Sequence, residues 1–128
     1  APEHISKHTL KAMGKSIDNS HLVAFKNKFL EYSKKFKKKQ FLTYYFIAAH
    51  PDCAVPDMFE LKNFLKSELK AKPEQVQIFT PTPSTYSTLM YYTGRDPLSG
   101  KQVHVEKSIS RKQIQKDTIV SKKNIRRR

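Results

Sequence analysis

Gln40–Asp52 reads QFLTYYFIAAHPD. Phe41 to Ala48 is a run of strand-forming residues that ends abruptly at Ala49-His50-Pro51-Asp52, and a helical pattern starts directly afterwards. Only Thr43 and the tyrosine hydroxyls interrupt its apolar character. That fits a central parallel strand buried on both faces better than a half-exposed antiparallel one. In α/β folds such a strand delivers a polar loop to the end of the sheet or barrel where ligands are held. The same grammar returns at Val76–Ser84, VQIFTPTPS, where Pro81 and Pro83 forbid further ladder pairing beyond a strand over Val76–Thr80.

Working outward, Ser6 is the expected N-cap of a short helix over Lys7–Met13 that Gly14 stops. Ser20 is the expected cap of a second helix, His21 to about Phe36, with Leu22, Phe25, Phe29, Tyr32 and Phe36 on one face. Pro56 suits the first turn of the helix after the Gln40–Asp52 segment, and Asp57 suits its positive end. Met58, Leu61, Leu65 and Leu69 form its apolar stripe, and it ends before Pro73. A short helix or turn over Thr85–Tyr92, a tight turn at Leu98–Lys101 and a small strand at Gln102–Val105 follow. Ser110 is the expected cap of a last helix, Arg111–Val120, whose apolar face is only Ile114 and Ile119. The alternation of strand and helix predicts an α/β fold with parallel strands. Two such strands cannot cover both faces of a sheet, so an upstream segment or a partner chain is expected to complete the core.

The chain has 128 residues, enough for one modest core. It carries 25 Lys+Arg against 11 Asp+Glu, a formal net charge of +14. That excess suits a polyanion such as RNA or DNA, or an acidic partner. It equally suits a solvated lysine-rich surface, because much of it lies in two runs. Lys34, Lys35, Lys37, Lys38 and Lys39 close the second helix; Lys122, Lys123, Arg126, Arg127 and Arg128 end the chain. Apart from Phe36 in the first, neither run is interleaved with aromatics as a base-stacking surface would be. Cys53 is the single cysteine, which excludes an internal disulfide and a cysteine-built metal or iron–sulfur site, and it fits a cytoplasmic setting. No stretch approaches about 20 apolar residues, so no transmembrane helix is expected. No His-Glu-x-x-His pattern, nucleophile elbow or phosphate loop is present. The start at Ala1-Pro2-Glu3-His4 rather than Met points to residues upstream.

Three segments resemble radical S-adenosylmethionine (radical SAM) enzymes. Ala1-Pro2-Glu3-His4-Ile5-Ser6 followed by Leu10-Lys11-Ala12-Met13 is similar to the strand-four segment of the methylthiotransferase-like branch. Tyr45-Phe46-Ile47-Ala48-Ala49-His50-Pro51 resembles the strand-five segment, and Val76–Pro83 the strand-six segment. The Ala-Pro-Glu-His start, the Ala-His-Pro variant and Tyr-Tyr-Thr-Gly-x-Asp-Pro-Leu at Tyr91–Leu98 resemble the YgiQ-type group in particular. The resemblance implies that residues 1–105 are the C-terminal portion of a partial (βα) barrel and that residues 106–128 are a basic helical or disordered tail. It implies a longer parent using SAM and a 4Fe-4S cluster, with the upstream half of the same barrel as partner. The Cys-x3-Cys-x2-Cys motif that holds the cluster is absent, and Asp52 and Cys53-Ala54 replace the usual Gly and Thr positions, so the chain alone is expected to be inactive.

The resemblance places Glu3, His4, Ala49, His50, Phe79 and Thr80 on the SAM or substrate side of the cavity. All but Ala49 have a plainer alternative. Glu3 is a terminal carboxylate, His4 a surface histidine and His50 a loop histidine whose ring bonds a backbone carbonyl. Phe79 and Thr80 fit ordinary core and turn positions. Cys53, beside a helix start, is either an activated thiol or an inert small residue. The other function class consistent with the charge is a non-enzymatic basic module that binds RNA or an acidic partner.

Overall fold

The structure, a computed structural model, describes residues 1–73 and 75–120. The expected basic run at Lys122–Arg128 lies outside the described residues. The first helix, α1 (Lys7–Ala12), begins after Ser6, but Ser6 does not cap it with its side chain. It ends in a Schellman turn: the Gly14 N–H donates to Lys11 O at 2.9 Å and the Lys15 N–H to Leu10 O at 2.8 Å, with Gly14 at φ +71°. The second, α2 (Asn19–Lys35), is capped by Asp18 rather than Ser20. The Asp18 carboxylate accepts the Ser20 N–H at 2.8 Å, so the aspartate two residues earlier takes the capping role.

Strand β1 (Phe46–Ala48) is much shorter than the expected Phe41–Ala48. A strand extends only as far as its backbone groups find ladder partners. Among the described residues β1 finds them in Glu3 on one side and β2 (Val76–Ile78) on the other, while Phe41 is 88% exposed. The β1–β2 register is parallel: Phe46 opposite Val76, Ile47 opposite Gln77, Ala48 opposite Ile78. The Glu3 bridge to Phe46 is also parallel. Beyond Ile78, among the described residues, only the Phe79 N–H continues the ladder, to Ala48 O at 2.8 Å.

The β1–β2 crossover is α3 (Val55–Phe64), continued by a π-helical turn over Leu65–Leu69 and stopped by Lys70 in the left-handed region at φ 50°. Pro56 lies in the first turn, and Asp57 accepts the Ala54 N–H at 2.8 Å. The expected stripe Met58, Leu61, Leu65 and Leu69 is fully buried against Phe46, Ala48 and Val76. Each such leucine contributes about 2 kcal/mol of apolar burial.

Thr85 caps α4 (Tyr86–Thr93), which stops at Gly94 with φ 66°. The Asp96–Lys101 turn follows, and the expected strand at Gln102–Val105 is a single bridge, Arg95 to Gln102. The last helix, α5 (Ile109–Ile119), is capped by Ser108, not Ser110. It packs on α3 and both strands. Residues 109–119, expected within a tail, therefore contribute to the core, and the buried positions are Gln115 and Ile119 while Ile114 is 54% exposed. Gln115 and Ile119 lie four residues apart and share a face; Ile114 is rotated off it.

Candidate functional site

Glu3, β1 and β2 run side by side in the same direction, so their carboxyl ends line one edge. Glu3-His4, Ala49-His50 and Phe79-Thr80 lie along it. The backbone there is unusual: Glu3, Ala49 and Asp52 adopt φ of 62°, 57° and 65°, a region that L-residues avoid. Such conformations persist where surrounding structure holds them, and they concentrate at ligand-facing loops.

The bonds that hold them are visible. The Ala49 N–H donates to Gln115 Oε1 at 2.8 Å, and Gln115 Nε2 donates to Cys53 O at 3.2 Å. One wholly buried amide on α5 thus clamps both ends of the Ala49–Cys53 turn. The Asp52 N–H donates to His104 O at 2.7 Å, and Thr9 Oγ1 donates to Asp52 O at 2.9 Å. Three separate segments therefore converge on this loop. Sequence reasoning overlooked Gln115 because it took Ile114 for the inner face; the four-residue step to Ile119 was the available signal.

His50 is 3% exposed, and both ring nitrogens are engaged. Nδ1 lies 2.7 Å from Pro51 O, and a carbonyl only accepts, so Nδ1 carries the proton and Nε2 accepts from Ser87 Oγ at 2.7 Å. Burial pushes the ring below its ordinary pKa, opposed by the bond to Pro51 and by the Glu3 and Asp52 carboxylates. The ring sits edge-on to Phe79 with centroids 5.0 Å apart, and Phe79 in turn packs on Tyr91 at 5.8 Å. His50 thus joins the ends of β1 and β2 to the first turn of α4. Ser87 opens onto a groove of about 840 Å³ between α1, α4 and the Asp96–Lys101 turn.

His4 is buried rather than on the surface. Nδ1 accepts the Ser6 N–H at 3.0 Å, and Nε2 faces the Cys53 sulfur at 3.6 Å. Burial pulls its pKa down to about 4, against the nearby Asp57 carboxylate. Asp57 ties the start of α1 to α3, accepting from Ser6 Oγ at 2.8 Å and pairing with His8 Nε2 at 3.0 Å. Burial raises the Asp57 pKa, but its hydrogen bonds from Ala54, Ser6 and His8 outweigh that and hold it below the usual carboxylate range. The Cys53 thiol is pushed up to about 12 by burial and by the Asp57 charge. It is the inert alternative: no exposure, no cation and no thiolate.

Glu3 is partly exposed and pairs with Lys15, Oε1 to Nζ at 3.2 Å. Thr80 is exposed, its hydroxyl donating to Ile78 O at 3.3 Å. The edge therefore carries Glu3, Phe79 and Thr80 as a partly open rim, with the buried Ala49, His4 and His50 beneath it. Among the described residues no group of three or more His, Cys, Asp or Glu side chains is arranged to hold a metal ion. No described helix is long and apolar enough to cross a membrane.

This is a chain of helices around a small parallel sheet, with left-handed loop residues at the strand ends. A family described as a domain of unknown function, DUF3362, matches residues 74–124, from before β2 through α5. Along nearly its whole length the chain is similar to UPF0313 proteins. That of Fusobacterium nucleatum is 53% identical over 127 residues, covering 99% of this chain and 22% of the relative. That of Methanosarcina acetivorans is 43% identical over 116 residues, 91% of this chain and 15% of the relative. That of Thermotoga petrophila is 40% identical over 123 residues, 96% and 22%. The chain thus spans about a fifth of the length of the relatives it matches. No solved structure matches it.

Proposed function

We propose that this chain is the C-terminal portion of a radical SAM enzyme of the YgiQ type, and that its strand-end edge forms part of the wall of the SAM and substrate cavity. One observation carries the reading. Glu3, β1 and β2 are neighbours in chain order, parallel, with their carboxyl ends on one edge. Consecutive strands of a (βα) barrel have that arrangement, and barrels keep ligands at that end. Similarity to UPF0313 proteins several times longer than the chain agrees with it.

The residues fit the two cofactors unequally. A 4Fe-4S cluster needs thiolates, and Cys53, the only cysteine, is buried with its thiol pushed up to about 12. This chain does not hold the cluster, and its ligands belong to another part of the longer protein. The SAM side fits better. The Glu3 carboxylate suits an ammonium or ribose hydroxyl and the Phe79 ring suits packing against adenine, while the buried Ala49 backbone, its N–H held by Gln115, shapes the loop beneath them. His4 and His50 act beneath this rim, fixing the loops that present it. When bound, cluster and SAM supply reductive cleavage of SAM and hydrogen abstraction from a substrate.

The full-length protein, purified without oxygen and supplied with SAM and a strong one-electron reductant, is expected to release 5′-deoxyadenosine. Glu3→Gln is expected to raise the SAM concentration needed for half-maximal release about tenfold, the loss of one charge-assisted hydrogen bond. The 128-residue chain alone, treated with iron and sulfide, is expected to release none. Absence of 5′-deoxyadenosine from the cluster-loaded full-length protein would falsify the assignment.

A further inference from the structure

Helix α2 buries none of its residues fully. Phe25, Tyr32 and Phe36 are 59%, 50% and 63% exposed. An open groove of about 480 Å³ runs along them, lined also by Phe29, Lys28 and Lys38. Tyr32 and Phe36 stack with ring centroids 6.4 Å apart. Lys28 Nζ lies 5.9 Å from the Tyr32 ring centre and Lys35 Nζ 5.8 Å from that of Phe36. Lys34, Lys35, Lys37, Lys38 and Lys39 are all exposed. Glu31 is the one acid between Lys26 and Lys39, and it pairs with Lys28 at 3.0 Å. Read along the chain, the lysine run holds a single aromatic, Phe36, where a stacking surface requires several rings. The helix supplies them, because Phe25, Phe29, Tyr32 and Phe36 recur at steps of three and four and converge on the lysine-rich end.

We infer that this face binds single-stranded nucleic acid. Exposed rings with cations beside them offer stacking for bases and pairing for the phosphates between them. Charge decides among occupants. A second copy of the same face would bring two lysine clusters together, and a neutral apolar partner would leave them unneutralised. A duplex keeps its bases closed, so it would use the lysines and leave the rings idle. Single strands use both. This inference does not depend on the radical SAM reading, since α2 lies outside the strand-end edge.

The test is fluorescence anisotropy of the full-length protein with labelled oligouridine of about 12 nucleotides, a length within the usual site sizes. With about four phosphates neutralised, affinity is expected to fall about 50-fold between about 50 and 200 mM salt. Tyr32→Ala and Phe36→Ala are each expected to weaken binding about tenfold. Replacing Lys34, Lys35 and Lys38 by Gln should flatten the salt slope. Tyr86→Ala, at a ring 62% exposed away from α2, should change nothing. All these side chains are exposed, and thermal melting checks that the variants keep their fold. Similar affinity for oligodeoxythymidine supports the proposal, which involves no reading of the 2′-hydroxyl. Equal affinity for a duplex, with the alanine variants unaffected, overturns it in favour of charge attraction alone. Failure of the full-length protein to bind, as when preceding polypeptide, a second copy or an acidic protein covers α2, overturns it as well.

Discussion

Gln115 holds Ala49 in a left-handed backbone conformation: the Ala49 N–H, at φ 57°, donates to Gln115 Oε1 at 2.8 Å. The other end of the same amide donates to Cys53 O, so the loop at the end of β1 is fixed from α5, across 66 residues of sequence. Gln115→Leu would leave a buried N–H and a buried carbonyl unpaired. The expected loss is about 2–4 kcal/mol, one to two unsatisfied polar groups, read as a lower urea midpoint at unchanged slope. An unshifted midpoint would show that the loop is held by other bonds.

The left-handed residues make a second prediction. Ala49 and Asp52 lie where an L-residue is strained by about 1–2 kcal/mol, and glycine is not. Glycine also loses more backbone freedom on folding, about 0.5–1 kcal/mol. Ala49→Gly and Asp52→Gly are therefore expected to leave stability within about 1 kcal/mol of the parent. Ala49→Val adds a β-branched clash in a buried site and should cost at least about 2 kcal/mol. Thermal melting of the three variants checks the order; a tolerated valine would contradict the strain argument.

The glycine position was legible in the sequence as a departure from a resembled pattern, and the structure keeps the glycine-like backbone under an aspartate. The stripe of α3 was legible for a stronger reason: Met58, Leu61, Leu65 and Leu69 bury against one surface, so periodicity and packing agree. Strand β1 was overread because propensity describes residues, whereas a ladder needs neighbours; within Phe41–Tyr45 only the Tyr45 carbonyl finds one among the described residues, the Glu3 N–H. Glu3, Ala49, Phe79 and Thr80 came from the resemblance, and the structure sets all four along one strand-end edge. Gln115 was harder to read, because a polar side chain pairing two backbone groups far along the chain leaves no local pattern beyond the four-residue step to Ile119. The acid that caps α2 was missed because Asp18 and Ser20 have equal capping chemistry, and only backbone geometry chooses between them.

His4 predicts an acid-labile fold. Its ring is held neutral, with its pKa pulled down from 6.5 to about 4 by burial. Between those values the unfolded chain binds a proton that the folded chain refuses, so stability falls as pH drops from about 6.5 toward 4. Asp57, held below the usual carboxylate range, adds a loss in the same direction further down the scale. The His4 share is at most about 3 kcal/mol. His4→Asn, which keeps an acceptor for the Ser6 N–H and cannot titrate, should flatten the upper part of the profile. Urea midpoints measured between pH 7 and 4 test this, and parallel profiles for parent and variant would exclude His4 as the source.

Cys53 predicts behaviour at the other end of the pH scale. Its thiol is wholly buried between the His4 ring and the Gln115 amide, with pKa raised from 9.0 to about 12. Alkylation by iodoacetamide requires the thiolate and access, and the folded chain offers neither. Labelling at neutral pH should therefore proceed only through opening, and its rate should rise steeply in urea with the unfolded fraction. A folded-state pKa above the unfolded one makes the contribution to stability complete below about 9 and lost as pH rises from there toward 12. Cys53→Ala removes the titrating group and should abolish that alkaline loss, at a cost of about 1 kcal/mol for the vacated volume. Rapid labelling of the folded chain without urea would instead mean that the loop held by Gln115 opens on its own, and that the clamp on Ala49 is weaker than its geometry indicates.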